Sequence, residues 1–280
     1  MNKTAIVTGA SSGFGLLATI ELAKNGFLVL ATMRNLQNKD TIKELCKQEK
    51  VLSRISFLQL DVTDHKSIEN FASHLIQLPS VDILINNAGF ALGGFCEETS
   101  ILEYQEQFHT NFFGLISVTQ AVLPHMRKQQ SGKIINISSI SGKIGFPGLS
   151  PYVASKHALE GWSECLRLEV KPFGIDVAII EPGSFQTNIW TKGKKIAKKS
   201  TLVSSPYTSY MKAIEKELES GKSNYGNPKE VVQLMVNLCS KKELTKLRYP
   251  IGKGVKSSLF LKNIIPWTIW ERIFHKRLNV

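Results

Sequence analysis

A tyrosine, a lysine and a serine stand at spacings that suit proton transfer. Tyr152 and Lys156 are four positions apart, and Ser139 lies thirteen positions before the tyrosine. If a helix begins near Pro151, this spacing places the phenol and the ammonium on one helix face, one turn apart. A free phenol titrates at about 10, so a fixed neighbouring cation is expected to lower the Tyr152 pKa toward the working range. We interpret the pair as an acid/base; the alternative is a pair on a solvated helix face.

A glycine-rich turn follows the first apolar run of the chain and opens a helical pattern. Its residues are Gly9, Ser11, Ser12, Gly13, Phe14 and Gly15. Glycines between a strand and a helix let the backbone approach a pyrophosphate, whose charge meets unpaired N–H groups and the positive end of the helix dipole. The turn therefore predicts a dinucleotide site, the alternative being an ordinary strand-to-helix turn.

Four further motifs follow in order along the chain. They are Asp61-Val62, Asn86-Asn87-Ala88-Gly89, Asn111, and Pro182-Gly183 with Phe185 and Thr187. Together with the glycine turn and the serine, tyrosine and lysine set, they make the chain resemble the single-domain type of the short-chain dehydrogenase/reductase family from about residue 3 to residue 190. The resemblance is to its hydroxysteroid and retinol dehydrogenase branches.

This resemblance implies hydride transfer and assigns roles to the acid/base set. Tyr152 would be the general acid in reduction and the general base in oxidation, and Ser139 would hold the substrate oxygen by a hydrogen bond. Lys156 would lower the Tyr152 pKa and bind the nicotinamide ribose. Asn111 would interrupt local helix hydrogen bonding to hold a water that links Lys156 to solvent. An acid and a second donor at one oxygen suit a developing alkoxide.

The same resemblance implies the cofactor contacts of the remaining motifs. Asp61 would contact the adenine amino group, with the Val62 backbone beside it, and residues 87–89 would line the cofactor on its other side. The backbone of Pro182, Gly183 and Phe185 would run along the nicotinamide carboxamide, with the Thr187 hydroxyl nearby. The alternative is that Asp61 is a turn residue before the next helix and that the Pro-Gly pair is only a turn.

The residues at the end of the second predicted strand, 30–35, bear on the choice of nicotinamide cofactor. NAD-binding folds usually place a carboxylate there, about twenty residues after the glycine turn, for the ribose 2′-OH. This chain has Met33 and Arg34 instead, and a guanidinium would bind a 2′-phosphate. The sequence predicts a preference for NADP(H), with NAD(H) also usable. Arg34 as a solvated loop charge is the alternative, and Ser12 lacks the positive charge that some NADP-preferring relatives carry there.

Short apolar runs alternate with helical patterns along the chain. They lie at residues 27–31, 55–60, 83–85, 133–137 and 176–180, and residues 247–252 are predicted as the last strand. Such runs are typical of buried parallel strands. The order predicts the α/β class, a doubly wound, mostly parallel sheet (Rossmann fold) in a single domain, with ligands at the carboxyl ends of the strands. We assign residues 1–255 to the catalytic domain, with a substrate lid at about 188–225, and residues 256–280 to a tail.

Composition agrees with a soluble enzyme, and we expect it to lie in the cytoplasm. The chain has 280 residues, 42% hydrophobic and 21% charged, which is ordinary globular usage. Its four cysteines form no metal-like cluster, so we expect no metal and no disulfide framework. We see no secretion signal and no apolar stretch of about 18 to 20 residues. The net charge of +12 is scattered without a nucleic-acid motif, so no nucleic-acid partner is expected.

Basic residues mark the lid and the tail. The lid carries Lys192, Lys194, Lys195, Lys198 and Lys199 before a helical pattern at 207–220. We interpret these lysines as a solvated face, the alternative being recruitment of an acidic or phosphorylated substrate.

The tail alternates apolar residues with Lys262, Arg272, Lys276 and Arg277. Peripheral contact with an anionic membrane is one interpretation. We prefer packing over the chain's own pocket or a partner subunit, because Pro266 breaks any long amphipathic helix.

These observations favour an NADP-preferring oxidoreductase of a secondary alcohol or ketone that works as a homodimer or homotetramer. We expect a lipophilic substrate, because the lid and tail exceed what a minimal family member needs. A reductase of 3-oxoacyl thioesters is the nearest alternative enzyme. A non-catalytic dinucleotide-binding sensor is the alternative of another class, and the acid/base set argues against it because a pure binder needs none.

Overall fold

The computed structural model describes residues 3–37, 39–187 and 194–278. The strands of this part of the chain are β1 (Thr4–Val7), β2 (Leu28–Met33), β3 (Ile55–Gln59), β4 (Ile83–Asn86), β5 (Ala91–Gly93), β6 (Gly132–Ile137), β7 (Ile175–Pro182), β8 (Lys194–Ile196) and β9 (Arg248–Ile251). Seven of them form one sheet in the order β3-β2-β1-β4-β6-β7-β9, with every pair parallel. The predicted doubly wound parallel sheet is confirmed.

Helices cover both faces of the sheet. They are α1 (Gly13–Lys24), α2 (Lys39–Gln48), α3 (His65–Leu75), α4 (Ile101–Phe108), α5 (Gly114–Gln129), α6 (Ser150–Val170), α7 (Thr208–Gly221), α8 (Pro228–Ser240), α9 (Val255–Ile264) and α10 (Trp267–Leu278). The helical pattern predicted at 207–220 corresponds to α7. The helical conformation is interrupted between α9 and α10 at Pro266, as expected of a residue that lacks a backbone N–H donor.

Successive residues of the central strands enter opposite cores. In β1, Ala5 and Val7 pack in the core beneath α1, α2 and α8, whereas Ile6 packs in the core beneath α3, α5 and α6. This follows from the two-residue period of a strand. Because both faces are covered, all residues of β1, β4, β6 and β7 are buried, which explains why apolar residues dominate these strands.

The chain order places a switch point between β1 and β4. From β1 the sheet grows outward through β2 and β3 on one side, and from β4 through β6, β7 and β9 on the other. In such sheets the crevice beyond the carboxyl ends of the two central strands accepts ligands. The glycine turn after β1 and the asparagine motif after β4 both lie at this crevice.

A second, two-stranded sheet pairs β5 with β8 in parallel. The lysine-rich stretch predicted as a solvated face therefore contains a strand, since Lys194 and Lys195 belong to β8. Lys195 forms an ion pair with Glu106, and its Nζ lies 4.8 Å from the centroid of the Phe90 ring. The first part of the predicted lid, residues 188–193 with Lys192, lies outside the described residues.

Candidate active site

Helix α6 brings the predicted acid/base pair together. It begins at Ser150 with Pro151 in its first turn, where a missing N–H costs nothing. Tyr152 and Lys156 are buried, at 3% and 6% exposed. The Lys156 Nζ lies 5.8 Å from the centroid of the Tyr152 ring and donates a hydrogen bond to the Ile137 carbonyl at 2.7 Å. The predicted helix and the shared face are confirmed.

Ser139 reaches the same place from β6. It precedes a short 3₁₀ turn, Ile140–Gly142, and its Oγ accepts a hydrogen bond from the Ser141 N–H at 3.1 Å. Its side chain also forms a hydrogen bond with Tyr152. Two hydroxyl groups from separate elements therefore converge where one substrate oxygen could contact both.

The electrostatics of the pair differ from the sequence expectation. Burial raises the pKa of Tyr152 to about 12, and only the hydrogen bond with Ser139 acts in the lowering direction. Burial likewise lowers the pKa of Lys156 to about 8, while the charge of Glu160 raises it. The predicted lowering of the Tyr152 pKa is therefore wrong for this structure, because desolvation penalises the phenolate. At neutral pH the phenol is protonated, which is the form a general acid requires.

Asn111 lies in an irregular turn between α4 and α5. Residues His109–Phe113 form one π-helical turn, so the predicted interruption of ordinary helix hydrogen bonding is present. The Asn111 amide accepts from the Phe90 N–H at 3.1 Å and donates to the Phe90 carbonyl at 3.0 Å. It also donates to the Ser155 hydroxyl at 3.4 Å. Asn111 thus ties the segment after β4 to helix α6, and its role in holding a water stays a prediction.

The turn between β1 and α1 fits a pyrophosphate. Gly9 has φ of +66°, and a Cβ at this position would lie 2.8 Å from the Ala88 Cα, so only glycine allows this close approach. Ser12 is the N-cap of α1 without a capping side-chain hydrogen bond, and the first turn carries no acidic residue. The N–H groups of a first helical turn lack intrahelical partners and favour a bound anion.

Thr8 fastens the segment after β4 to this turn. Its Oγ1 accepts hydrogen bonds from the N–H groups of Asn87 and Ala88 at 2.9 and 3.0 Å. In return, the Asn87 side chain donates to the Thr8 carbonyl at 2.9 Å. The asparagine motif thus shapes the glycine turn, and the position of Thr8 directly before the first glycine is the sequence signal for this role.

The predicted adenosine contacts lie at the same edge of the sheet. Arg34 follows β2 directly and its side chain is exposed, while Val62 is 8% exposed. The Asp61 carboxylate accepts hydrogen bonds from the Thr63 N–H at 2.9 Å and from the Thr63 hydroxyl at 2.7 Å. Asp61 therefore acts in a turn, and its contact with adenine stays a prediction.

One cavity collects most of the predicted residues. Its lining includes Phe14, Asn87, Gly89, Asn111, Ser139, Tyr152, Lys156, Pro182, Gly183, Phe185 and Thr187. The predicted residues outside this lining are Gly9, Ser11, Ser12, Gly13, Gly15, Arg34, Asp61, Val62 and Ala88, and they follow the carboxyl ends of β1 to β4. Phe90, Ile137 and Ser138 also line the cavity and were not predicted, although each stands beside a motif residue or strand end.

A buried charge cluster behind Lys156 was also not predicted. Glu160 and Glu181 are 2% and 1% exposed. The Arg248 Nε donates to Glu160 at 2.8 Å and lies 3.6 Å from the Glu181 carboxylate. Burial, with the charge of Glu160 adding to it, raises the pKa of Glu181 to about 7. The sequence signals are the spacing of four from Lys156 to Glu160 and the position of Glu181 directly before Pro182.

Sequence comparison gives several relatives of this chain. The family model for short chain dehydrogenases matches residues 3–197. The uncharacterized oxidoreductase YusZ of Bacillus subtilis is 47% identical over 276 residues, or 99% of this chain and 98% of that protein. A 3-ketodihydrosphingosine reductase of Bacteroides thetaiotaomicron is 39% identical over 220 residues, 77% of each protein. Human retinol dehydrogenase 8 is 36% identical over 265 residues, 88% of this chain and 82% of that protein.

Two solved structures are similar to this chain in fold and sequence. A short-chain dehydrogenase from Streptomyces avermitilis has a TM-score of 0.82 and 34% identity, covering 98% of this chain and 97% of its own. ElxO with NADP bound has a TM-score of 0.75 and 27% identity, covering 92% of this chain and 100% of its own. The NADP-bound neighbour supports a nicotinamide dinucleotide as the cofactor.

Proposed function

Because the chain belongs to the short-chain dehydrogenase family, we propose that it is an NADP-preferring oxidoreductase of a lipophilic secondary alcohol or ketone. Family membership makes it an oxidoreductase that acts on CH–OH groups with NAD(P). The observation that carries the proposed reaction at a secondary alcohol or ketone is the cavity where the Ser139 and Tyr152 hydroxyls converge beside Lys156. A substrate oxygen there meets a proton donor and a second hydrogen-bond donor.

The nicotinamide supplies or accepts the hydride when it is bound, and the residues of the chain handle the proton. In reduction, Tyr152 donates its phenolic proton to the substrate oxygen, and in oxidation it takes that proton back. Ser139 donates a hydrogen bond to the same oxygen and stabilises negative charge as it develops. A positively charged Lys156 favours the phenolate that remains, and Asn111 holds a water that leads the replacing proton toward solvent.

The cofactor is held by the residues that follow the central strands. When the cofactor is bound, the glycine turn, Gly9 to Gly15, would hold the pyrophosphate, Lys156 would hold the nicotinamide ribose, and the segment from Pro182 to Thr187 would contact the carboxamide. Arg34 binds the 2′-phosphate, since it is exposed at the end of β2 and no carboxylate stands there to repel it. The NADP in the neighbouring ElxO structure supports this preference.

Aromatic side chains around the lid support a lipophilic substrate. The Phe95 ring stacks on Tyr207 with centroids 4.2 Å apart and lies 5.3 Å from Tyr210. Phe146, in the loop after Ser139, meets Phe274 of the tail at 5.9 Å. The 3-ketodihydrosphingosine reductase and retinol dehydrogenase 8 among the relatives carry names of lipophilic substrates, which supports the same class.

The remaining parts of the proposal concern organisation. The catalytic domain is residues 1–255 with the lid at about 188–225, and residues 256–280 form the tail. The enzyme works in the cytoplasm as a homodimer or homotetramer. None of the helices in the described ranges combines the length and apolarity needed to cross a bilayer.

A substrate panel tests the proposal. Long-chain ketones, short-chain ketones and 3-oxoacyl thioesters would be offered with NADPH, and with NADH as the matched control, while cofactor absorbance is followed. We expect the highest kcat/KM for a long-chain ketone with NADPH. A preference for the thioesters would favour the alternative enzyme. Tight NADPH binding without turnover of any compound, or of the corresponding alcohols with NADP, would favour the sensor.

A further inference from the structure

Large apolar side chains are exposed together on the tail. Six of the fifteen exposed large hydrophobic residues in the described part of the chain lie on or between α9 and α10. These six, here called the tail surface, are Phe260, Leu261, Ile264, Trp267, Ile269 and Ile273. Phe260, Ile264 and Trp267 are each more than 60% exposed, at 65%, 62% and 61%. Such a cluster differs from the scattered apolar residues of an ordinary surface and marks an interaction site.

The opposite face of the tail is anchored to the enzyme. Trp270 and Leu278 of α10 are 8% and 9% exposed, and Phe274 between them contacts Trp270 at 5.6 Å between ring centroids. Phe274 also contacts Phe146 of the loop after Ser139, and the Arg277 Nε donates to Glu217 of α7 at 2.6 Å. Helix α10 is therefore held against the lid and the loop. Residues four apart share a helix face, so Ile269 and Ile273 lie on a different face from Trp270 and Phe274.

Charge on the tail selects the kind of partner. Helices α9 and α10 carry the basic residues Lys256, Lys262, Arg272, Lys276 and Arg277, against one carboxylate, Glu271. The Lys262 Nζ lies 4.4 Å from the centroid of the Trp267 ring, so a cation and an exposed apolar group share one place. A second copy of the chain docked by a two-fold contact would bring these cations against each other. Anionic lipid headgroups complement them.

We propose that the tail surface docks on the interface of an anionic lipid bilayer. The apolar side chains enter the boundary between headgroups and acyl chains, and the basic residues other than Arg277, which pairs with Glu217, contact the lipid phosphates. The face formed by Trp270 and Phe274 remains on the enzyme, so the tail covers the lid with one side and meets the membrane with the other. If the proposed function holds, a lipophilic substrate reaches the lid from the bilayer; the docking itself does not depend on that function.

Co-sedimentation of the full chain with vesicles tests the docking. The vesicles would be phosphatidylcholine alone or phosphatidylcholine mixed with phosphatidylglycerol. We expect binding to the anionic vesicles that weakens as salt shortens the Debye length from about 10 Å to about 3 Å. The double variants Phe260→Ser/Ile264→Ser and Lys262→Gln/Lys276→Gln should each bind about tenfold more weakly. The control is Ile76→Ser/Leu168→Ser, because these residues are 76% and 77% exposed but lie elsewhere.

Thermal unfolding of each variant checks that the fold is intact. Equal binding by the control and the tail variants would overturn the proposal, as would no binding of the wild-type chain to anionic vesicles. Analytical ultracentrifugation provides the competing outcome. If Phe260→Ser/Ile264→Ser dissociates an oligomer and vesicles bind no form of the chain, the tail surface is a contact between copies. Because no substrate is needed, failure of the docking and failure of the proposed function remain distinguishable.

Discussion

Replacing Glu181 by glutamine is expected to stabilise the protein above neutral pH. The Glu181 side chain is buried, and its pKa is raised from 4.5 to about 7, first by burial and then by the charge of Glu160. Because the pKa in the folded state exceeds that in the unfolded state, the folded protein binds this proton more tightly. Stability contributed by the proton is therefore full at low pH and is lost as the pH rises from about 4.5 through about 7.

The size of this effect follows from the interval between the two pKa values. At about 1.4 kcal/mol for each pH unit, ionising Glu181 costs at most about 3 kcal/mol of unfolding free energy. Arg248 keeps its hydrogen bond to Glu160 at 2.8 Å after the substitution, so Glu181→Gln leaves no unpaired guanidinium. We expect the stability gain of the variant over wild type to grow by about 1 to 2 kcal/mol between about pH 5 and about pH 8.

Urea unfolding of both proteins across this pH range provides the measurement. The matched control is Glu164→Gln, because Glu164 also pairs with Arg248 but is about half exposed, and this pairing lowers its pKa. The control should show no gain that grows with pH. Parallel pH profiles for wild type and Glu181→Gln would refute the reasoning, since they would mean that Glu181 titrates alike in the folded and unfolded states.

Four further substitutions test the candidate site. Tyr152→Phe should keep cofactor binding in a fluorescence titration but lower kcat by about 10² to 10⁴ because the proton donor is gone, and Ser139→Ala should lose less; near wild-type turnover of the tyrosine variant would contradict the acid role. Arg34→Ala should weaken NADPH binding by about 1 to 3 kcal/mol and leave NADH nearly unchanged; equal calorimetric losses for both would remove the 2′-phosphate role. Gly9→Ala should reduce affinity for both cofactors and lower the Tm, because φ at this position is +66° and the added Cβ meets Ala88; unchanged affinity for both would show that the turn is not the pyrophosphate site.

Features set by short stretches of chain were predictable from the sequence. Parallel strands buried on both faces are mostly apolar, so β1, β4, β6 and β7 were visible as runs despite buried polar residues such as Lys133 and Asp176. The Tyr152 and Lys156 spacing fixed a shared helix face because helix geometry repeats every 3.6 residues. The strand-to-helix glycine turn was equally local. These three patterns, with the family resemblance, were sufficient to indicate the fold and the candidate site.

Features that join distant segments required the tertiary structure. Arg248 and Glu160 are 88 positions apart, and the strand pairing of Lys194 and Lys195 with β5 spans about a hundred residues without any apolar alternation to reveal it. The direction of the Tyr152 pKa depends on burial by surrounding elements, which outweighs the neighbouring lysine that the sequence displays. The tail sequence showed apolar and basic residues, but only packing of Trp270 and Phe274 decided which face remains exposed. Local geometry follows from the spacing of residues in the sequence. Desolvation and contacts between distant residues depend on the folded chain as a whole.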